Sequence, residues 1–84
     1  MENNLQNKVA VLAIIVSDTD SAEKVNSVLH EFREYIIGRQ GVPYRERNIS
    51  LISVFLDAPQ TVLNSLSGKL GMIKGVSSKL LNTK

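Results

Sequence analysis

The feature that most constrains how this 84-residue chain can fold is a pattern that occurs twice along it. Residues 8–35 and residues 49–82 each begin with an apolar stretch, pass through an aspartate-containing turn into an amphipathic segment, and lead towards another extended stretch. An apolar stretch of about eight residues has the length of a strand, and the amphipathic segments repeat their apolar residues every three or four positions, as helices do. The sequence therefore predicts two β-α-β units in tandem.

Two such units predict one α+β domain with the ferredoxin-like βαββαβ topology, a two-layer sandwich whose antiparallel sheet has the strand order 4-1-3-2. We expect strands at about 8–16, 35–44, 49–56 and 76–81, and helices at about 21–33 and 59–71. Strands one and three are apolar at nearly every position and suit the centre of the sheet, whereas Gly38, Pro43 and Lys79 suit its edges. Residues 1–7 are predicted to be a disordered N-terminal extension, and residues 8–84 the single domain.

Turn and cap residues mark where the helices begin and end. Asp20 is the expected N-cap of the first helix, and Asp57 is expected to cap the second, with Pro59 in its first turn. Gly71 is the expected C-cap of the second helix, and Gly75 the turn into the last strand.

The central strands are apolar on both faces, although helices can cover only one face of a two-layer sandwich. If Ile52, Val54 and Leu56 face the helices, then Leu51 and Phe55 face the other way. A bare second face would expose a large apolar patch. We therefore expect a homo-oligomer, a dimer or a tetramer, with Leu51 and Phe55 in its interface.

Composition excludes several kinds of site. The chain has no cysteine, so disulfides and thiolate metal sites are absent, and one histidine, His30, does not supply the three or four ligands that a metal site needs. No catalytic constellation and no cofactor motif is present. A net charge of +2 gives no argument for direct nucleic-acid binding. The apolar stretches are too short to cross a membrane, and residues 1–7 lack a signal-peptide core, which predicts a cytoplasmic protein.

The segment 35–47 carries the least ordinary chemistry, because it combines glycines, tyrosines and arginines. Arginine forks bind carboxylates and phosphates, tyrosine offers a stacking face, and glycine admits close backbone approach. If the domain binds a small anionic effector, the residues expected to contact it are Gly38, Arg39, Gly41, Tyr44 and Arg45, with Asp18 and Asp20 contributed across a subunit interface. The alternative is a solvated edge strand that binds nothing, with the arginines paired to Glu31, Glu34 or Glu46. Asp18, Asp20 and Asp57 also allow a cation site at the carboxyl ends of strands one and three, although capping explains them more simply.

The chain resembles a small family of proposed regulators of iron-only hydrogenase systems. The resemblance spans about residues 8–81, and its most specific part is the run Gly38-Arg39-Gln40-Gly41-Val42-Pro43-Tyr44-Arg45. That family is similar to ACT-type regulatory domains and to the C-terminal effector domain of the nickel-responsive regulator. The resemblance implies an oligomeric, ACT-like regulatory domain with a transcriptional role. The nickel-responsive regulator's set of histidine and cysteine ligands, and its N-terminal DNA-binding arm, have no counterpart in this sequence.

Two hypotheses of different kinds follow. The first is a non-enzymatic regulatory domain that oligomerises through its sheet and binds a small effector. The second is an interaction or scaffold subunit in metallocofactor assembly that binds no small molecule. A small enzyme with a site shared between subunits is a distant third, since no convergent acid–base set is visible.

Overall fold

The computed structural model describes residues 6–83, which form four strands and two helices. They are β1 (Asn7–Val16), α1 (Ala22–Glu31), β2 (Ile36–Tyr44), β3 (Ile49–Pro59), α2 (Gln60–Gly71) and β4 (Val76–Asn82). The element order is the predicted one. The predicted N-terminal extension, residues 1–7, lies outside the described residues except for Gln6 and Asn7, and Asn7 already belongs to β1.

The strands form one antiparallel sheet in the order β2-β3-β1-β4, which confirms the predicted ferredoxin-like sandwich. The glycine- and proline-containing strand β2 and the serine- and lysine-containing strand β4 lie at the edges, as their composition predicts. Strand β1 pairs with β3 without a break, from Asn7 opposite Pro59 to Val16 opposite Ser50. The pairing of β2 with β3 is interrupted once, between Ile36 and Gly38.

Both helices pack on one face of the sheet and form the core with it. Alternate residues of the central strands are buried there, and each helix contributes the stripe that its periodicity predicts. The buried apolar residues are Ala10, Leu12, Ile14, Val16, Val25, Leu29, Val54, Leu56, Ala58, Leu63, Leu66 and Leu70. Burying each large side chain of this set contributes about 1.5–3 kcal/mol to folding, which makes this layer the main source of stability.

The helix caps differ from those predicted. Asp18, not Asp20, caps the chain before α1: its carboxylate accepts a hydrogen bond from the Asp20 N–H at 3.0 Å and starts the short 3₁₀ turn Thr19–Ser21. This aspartate turn comes first because the Asp18 side chain reaches the amide two residues ahead. The prediction that Asp57 caps α2 is also wrong, because Asp57 lies within β3 opposite Val9.

The ends of α2 are each shifted by one residue from the prediction. Pro59 takes the N-cap position in extended conformation, and the helix runs to Gly71, so that Met72 is the C-cap. Gly71 is therefore helical, and its backbone does not need the freedom of glycine. Gly75 is the predicted turn into β4 and has the positive φ, +74°, that glycine adopts without strain.

The turn after β1 and the turn before β4 are held together by hydrogen bonds. The Ser17 N–H donates to the Gly75 carbonyl at 2.7 Å, and the buried Ser21 hydroxyl donates to the Lys74 carbonyl at 2.6 Å. These contacts close one end of the sandwich and fix where α1 begins.

Beside the start of β1, the chain pairs with the residue that follows β4. The Val9 N–H donates to the Thr83 hydroxyl at 3.1 Å, and the Thr83 N–H donates to the Val9 carbonyl at 2.9 Å. The pairing of β1 with β4 thus continues beyond the last residue of β4, through Val9 and Thr83.

Candidate functional site

The sheet face opposite the helices, here called the open face, is apolar and is not covered by any element within residues 6–83. Residues that pair directly across antiparallel strands share a face, so the strand register assigns each side chain to one side. The large apolar residues of the open face are between 39% and 74% exposed. They are Val9, Val11, Ile15, Val42, Leu51, Phe55 and Leu81. Leu51 and Phe55 therefore lie where the sequence places them.

These side chains form two ridges with a groove between them. One ridge crosses the sheet through Val42, Leu51 and Ile15, which pair in register. The other crosses it through Phe55, Val11 and Leu81. The row between them has small residues at its centre, and a groove with a volume of about 420 Å³ lies along the first ridge and the Gln40, Ser53 and Ala13 part of this row.

The row between the two ridges is Gln40, Ser53, Ala13 and Lys79 in order across the four strands. Its two small residues lie at the middle of the sheet, and its polar and charged residues lie on the edge strands. The open face therefore carries two apolar ridges on either side of a row that is small at its middle and polar or charged at its ends.

A second concave site lies between α1 and the edge strand β2, and it is here called the α1–β2 cleft. The Arg39 guanidinium donates a hydrogen bond from Nη2 to the Asn26 side-chain oxygen at 2.8 Å, which joins the strand to the helix. The cleft beside this bond has a volume of about 250 Å³. Its lining consists of Val16, Ala22, Asn26, Arg39, Gly41, Val42, Pro43, Ser50 and Ile52.

The structure does not bring together the five effector residues predicted in segment 35–47, and the contribution expected of Asp18 and Asp20 across a subunit interface stays a prediction. Arg39 and Gly41 pair with Val54 and Ile52 on the helix side of β2 and line the α1–β2 cleft. Gly38 and Tyr44, at even positions of the same strand, pair with Phe55 and Ile49; Gly38 thereby belongs to the open face. Arg45 begins the 3₁₀ turn after β2.

Neither predicted aspartate lines the α1–β2 cleft. Asp18 is half-buried in its cap, and Asp20 is exposed beside it. The residues that sequence reasoning missed are Asn26 and Ser50. The alternation of side chains along β2 is the sequence signal that could have indicated that Arg39 faces the helix layer.

The cation site considered for the three aspartates is not formed. Because β1 and β3 are antiparallel, their carboxyl ends point to opposite ends of the sandwich, and Asp57 is far from Asp18 and Asp20 along the strand register. Within residues 6–83, no group of three or more histidine, cysteine or acidic side chains is placed to hold a metal ion. His30 is exposed on α1.

The alternative hypothesis, in which the arginines of segment 35–47 pair with Glu31, Glu34 or Glu46, does not describe Arg39 or Glu31. Glu31 pairs with Lys69 of α2 at 2.9 Å, and Arg39 is hydrogen-bonded to the neutral Asn26.

No helix in the described part of the chain is long and apolar enough to span a membrane.

Residues 6–83 thus form a ferredoxin-like α+β sandwich whose sheet face opposite the helices is apolar and uncovered. Comparison with known families makes the assignment specific. Residues 8–80 match the family model described as "TM1266-like: Iron-only hydrogenase system regulator, putative", and the chain belongs to that family.

Solved structures agree with this assignment. The chain is similar to the uncharacterized protein TM1266 from Thermotoga maritima, with 37% identity, a TM-score of 0.88, and coverage of 93% of this chain and 99% of that one. No curated protein shows significant sequence similarity to the chain.

Two more distant structures share the fold alone. A formyltetrahydrofolate deformylase from Pseudomonas putida KT2440 is 17% identical with a TM-score of 0.62, over 86% of this chain and 28% of that one. CPII, a nitrogen regulatory PII-like protein from Thiomonas intermedia K12, is 15% identical with a TM-score of 0.50, over 92% of this chain and 96% of that one. The same sandwich thus occurs within an enzyme and as a regulatory protein, so the fold by itself does not define the function.

Proposed function

We propose that this chain is a non-enzymatic regulatory domain of an iron-only hydrogenase system that works as a homodimer, pairs through its open face, and responds to a small anionic effector. Membership of the family supports the regulatory role. The observation that carries the dimer is the open face, where seven large exposed apolar side chains are distributed over all four strands.

The size of the open face favours a partner. Strands about 4.8 Å apart with a rise of about 3.4 Å per residue give four strands and four outward rows a flat area of about 500 Å². The apolar ridges make up part of that area, so the patch falls within the range of about 300–600 Å² that the largest apolar patch of a monomer reaches and that is often functional. A second copy supplies a matching surface, since a twofold interface uses the same patch on both subunits.

The relief of the open face suits packing of one copy against another. In a face-to-face pair of sheets the inward side chains interdigitate, with the sheets about 10 Å apart. The ridge of Val42, Leu51 and Ile15 in one copy fits the groove above Ala13 and Ser53 in the other.

In this proposal the domain influences the hydrogenase system without contacting DNA itself. Its net charge of +2 is small, and DNA affinity depends mainly on neutralising phosphates with basic side chains. A transcriptional effect would therefore pass through a DNA-binding partner. The effector would change the dimer or the surface that it presents to such a partner.

The test of the dimer is light scattering of the wild-type chain and two glutamate variants at micromolar concentration. Leu51→Glu places a charge on a ridge of the open face and should give a monomer. Met72→Glu changes an apolar residue that is 86% exposed away from that face, and should remain dimeric like the wild type. A monodisperse wild-type monomer, or a Leu51→Glu variant that remains dimeric, would refute pairing through the open face.

The test of effector sensing is thermal denaturation across a panel of metabolite anions and metals, because a ligand that binds the native state raises the melting temperature. We expect stabilisation by at least one organic anion. A dimer whose melting temperature no compound changes would contradict effector sensing and favour the scaffold role.

A further inference from the structure

We propose that the α1–β2 cleft is a binding site for a small carboxylate that has a short apolar body. The inference rests on the effector-sensing part of the proposed function and gives it a place and a chemical class. It does not depend on how the domain dimerises.

The cleft exists because α1 does not cover the edge strand. The buried stripe of α1 packs on the central strands through Val25 and Leu29, which are fully buried. Gly41 has no side chain to fill the space beside it, and a Cβ built at that position would meet none of the described atoms within 4 Å. The gap between helix and strand is thus a consequence of a glycine at a position that faces the helix layer.

The polar groups of the cleft are arranged to donate hydrogen bonds. A guanidinium only donates, so the Asn26 atom that accepts from Arg39 must be the amide oxygen. That contact leaves the Asn26 NH₂ group free to turn its donors towards the cleft, beside the remaining N–H groups of Arg39. The Ser50 hydroxyl adds a third group that can donate.

The charge of the cleft selects an anion. Arg39 is the one charged residue in its lining, and no carboxylate of residues 6–83 lines it. Hydrogen bonds between a guanidinium and a carboxylate are short, strong and often bidentate. A neutral or cationic ligand would leave the guanidinium without a charged partner.

The floor and the volume of the cleft restrict the rest of the ligand. Val16 is buried and Ile52 is half-buried, and both line the cleft together with Ala22 and Pro43. Its volume of about 250 Å³ is below the range typical of sites for drug-sized molecules, about 300–1,000 Å³. A carboxylate with two to four carbons fits this space and can place its carbons on the apolar floor.

The experiment is an NMR titration of the ¹⁵N-labelled chain with acetate, butyrate, 2-oxobutyrate, inorganic phosphate and the uncharged analogue butyramide. We expect saturable shifts of the Asn26 side-chain amide and the Gly41 backbone amide with butyrate and 2-oxobutyrate. Acetate, whose apolar body is a single methyl group, and phosphate, which has none, should bind more weakly than butyrate, and butyramide should not bind.

Three variants locate the site. Arg39→Gln should weaken butyrate binding at least about tenfold, since it removes a charged hydrogen-bond donor. Gly41→Val should abolish binding by filling the cleft, without touching Arg39. Arg45→Gln is the matched control, because it removes a nearby arginine that does not line the cleft, and it should bind like the wild type.

The result that overturns the inference is the absence of saturable shifts with every carboxylate up to millimolar concentration. It is also overturned if carboxylates bind equally well to Gly41→Val, or if phosphate binds as tightly as butyrate. Light scattering of the same samples separates these outcomes from a failure of the proposed function, because loss of the carboxylate site leaves the dimer through the open face untouched.

Discussion

Gly75 lies against Asp18 so closely that a Cβ at position 75 would come within 2.5 Å of the Asp18 Cβ. The two residues are far apart in the sequence, and their contact joins the turn after β1 to the turn before β4. The positive φ of Gly75 and the space taken by Asp18 both require glycine there.

Replacing Gly75 with alanine should therefore destabilise the domain. A residue with a side chain in the left-handed region costs about 1–3 kcal/mol, and the clash with Asp18 adds to it. The control is Gly68→Ala, within α2, where a Cβ meets none of the described atoms within 4 Å and alanine should stabilise the helix by about 0.5–1 kcal/mol. Urea denaturation of both variants measures the difference, and equal stabilities would contradict the geometry of the turn.

The two aspartates after β1 should differ in their contribution to stability. Asp18→Ala removes the carboxylate that accepts from the Asp20 N–H, and it keeps the Cβ that packs against Gly75, so the expected loss is the cap alone, about 1 kcal/mol. Asp20→Ala should change the free energy of unfolding by less than about 0.5 kcal/mol, as surface substitutions usually do. If chemical denaturation showed a larger loss of unfolding free energy for Asp20→Ala than for Asp18→Ala, Asp20 would be the capping residue.

Two neighbouring residues of β3 should separate folding from dimerisation. The melting temperature of the wild type should rise with protein concentration, because association stabilises the native state. Phe55→Lys, on the open face, should abolish this concentration dependence. Val54→Ala, in the core, should lower the melting temperature at every concentration and leave the dependence in place. A wild-type melting temperature independent of concentration would argue against the dimer.

The ion pair between Lys69 and Glu31 should contribute little. Both side chains are about half exposed, so Lys69→Met should cost less than about 1 kcal/mol at low salt. The cost should shrink in 1 M NaCl, where screening acts over about 3 Å. Lys24→Met on the exposed side of α1 is the control for removing a positive charge, and its effect should be near zero. The Lys69 ammonium nitrogen also lies 5.7 Å from the centroid of the Phe32 ring. An effect of Lys69→Met that does not change with salt would show that this contact matters more than the ion pair with Glu31.

The fold could be predicted from the sequence because its strongest signals are local and repeated. Apolar residues recur at every second position in the strands and at every third or fourth position in the helices. Gly38, Pro43 and Lys79 mark the edge strands. The caps were predicted less well. Asp18 and Asp20 both suit an N-cap, and which of them takes that role depends on the packing of Asp18 against Gly75, a contact between distant parts of the chain.

The candidate site was predicted only in part, for a related reason. Composition marks 35–47 as unusual, but it does not say that Arg39 faces α1 whereas Gly38 belongs to the open face. Pleating sends consecutive residues of a strand to opposite faces, so a motif that is continuous in sequence is divided between two surfaces. Asn26 could be recognised as part of the cleft only once the register placed Arg39 beside it.

The pairing of Val9 with Thr83 has a consequence for how this domain can be rearranged. The start of β1 and the end of β4 lie side by side on adjacent strands, so the backbone from β1 to β4 forms an almost complete ring. Folds with this property tolerate circular permutation. A short linker from Thr83 back to Asn7 and a new opening in the exposed turn Arg45–Arg47 would keep every strand pairing. The open face would be presented unchanged, and fusion partners or reporter domains would then leave the molecule beside the α1–β2 cleft.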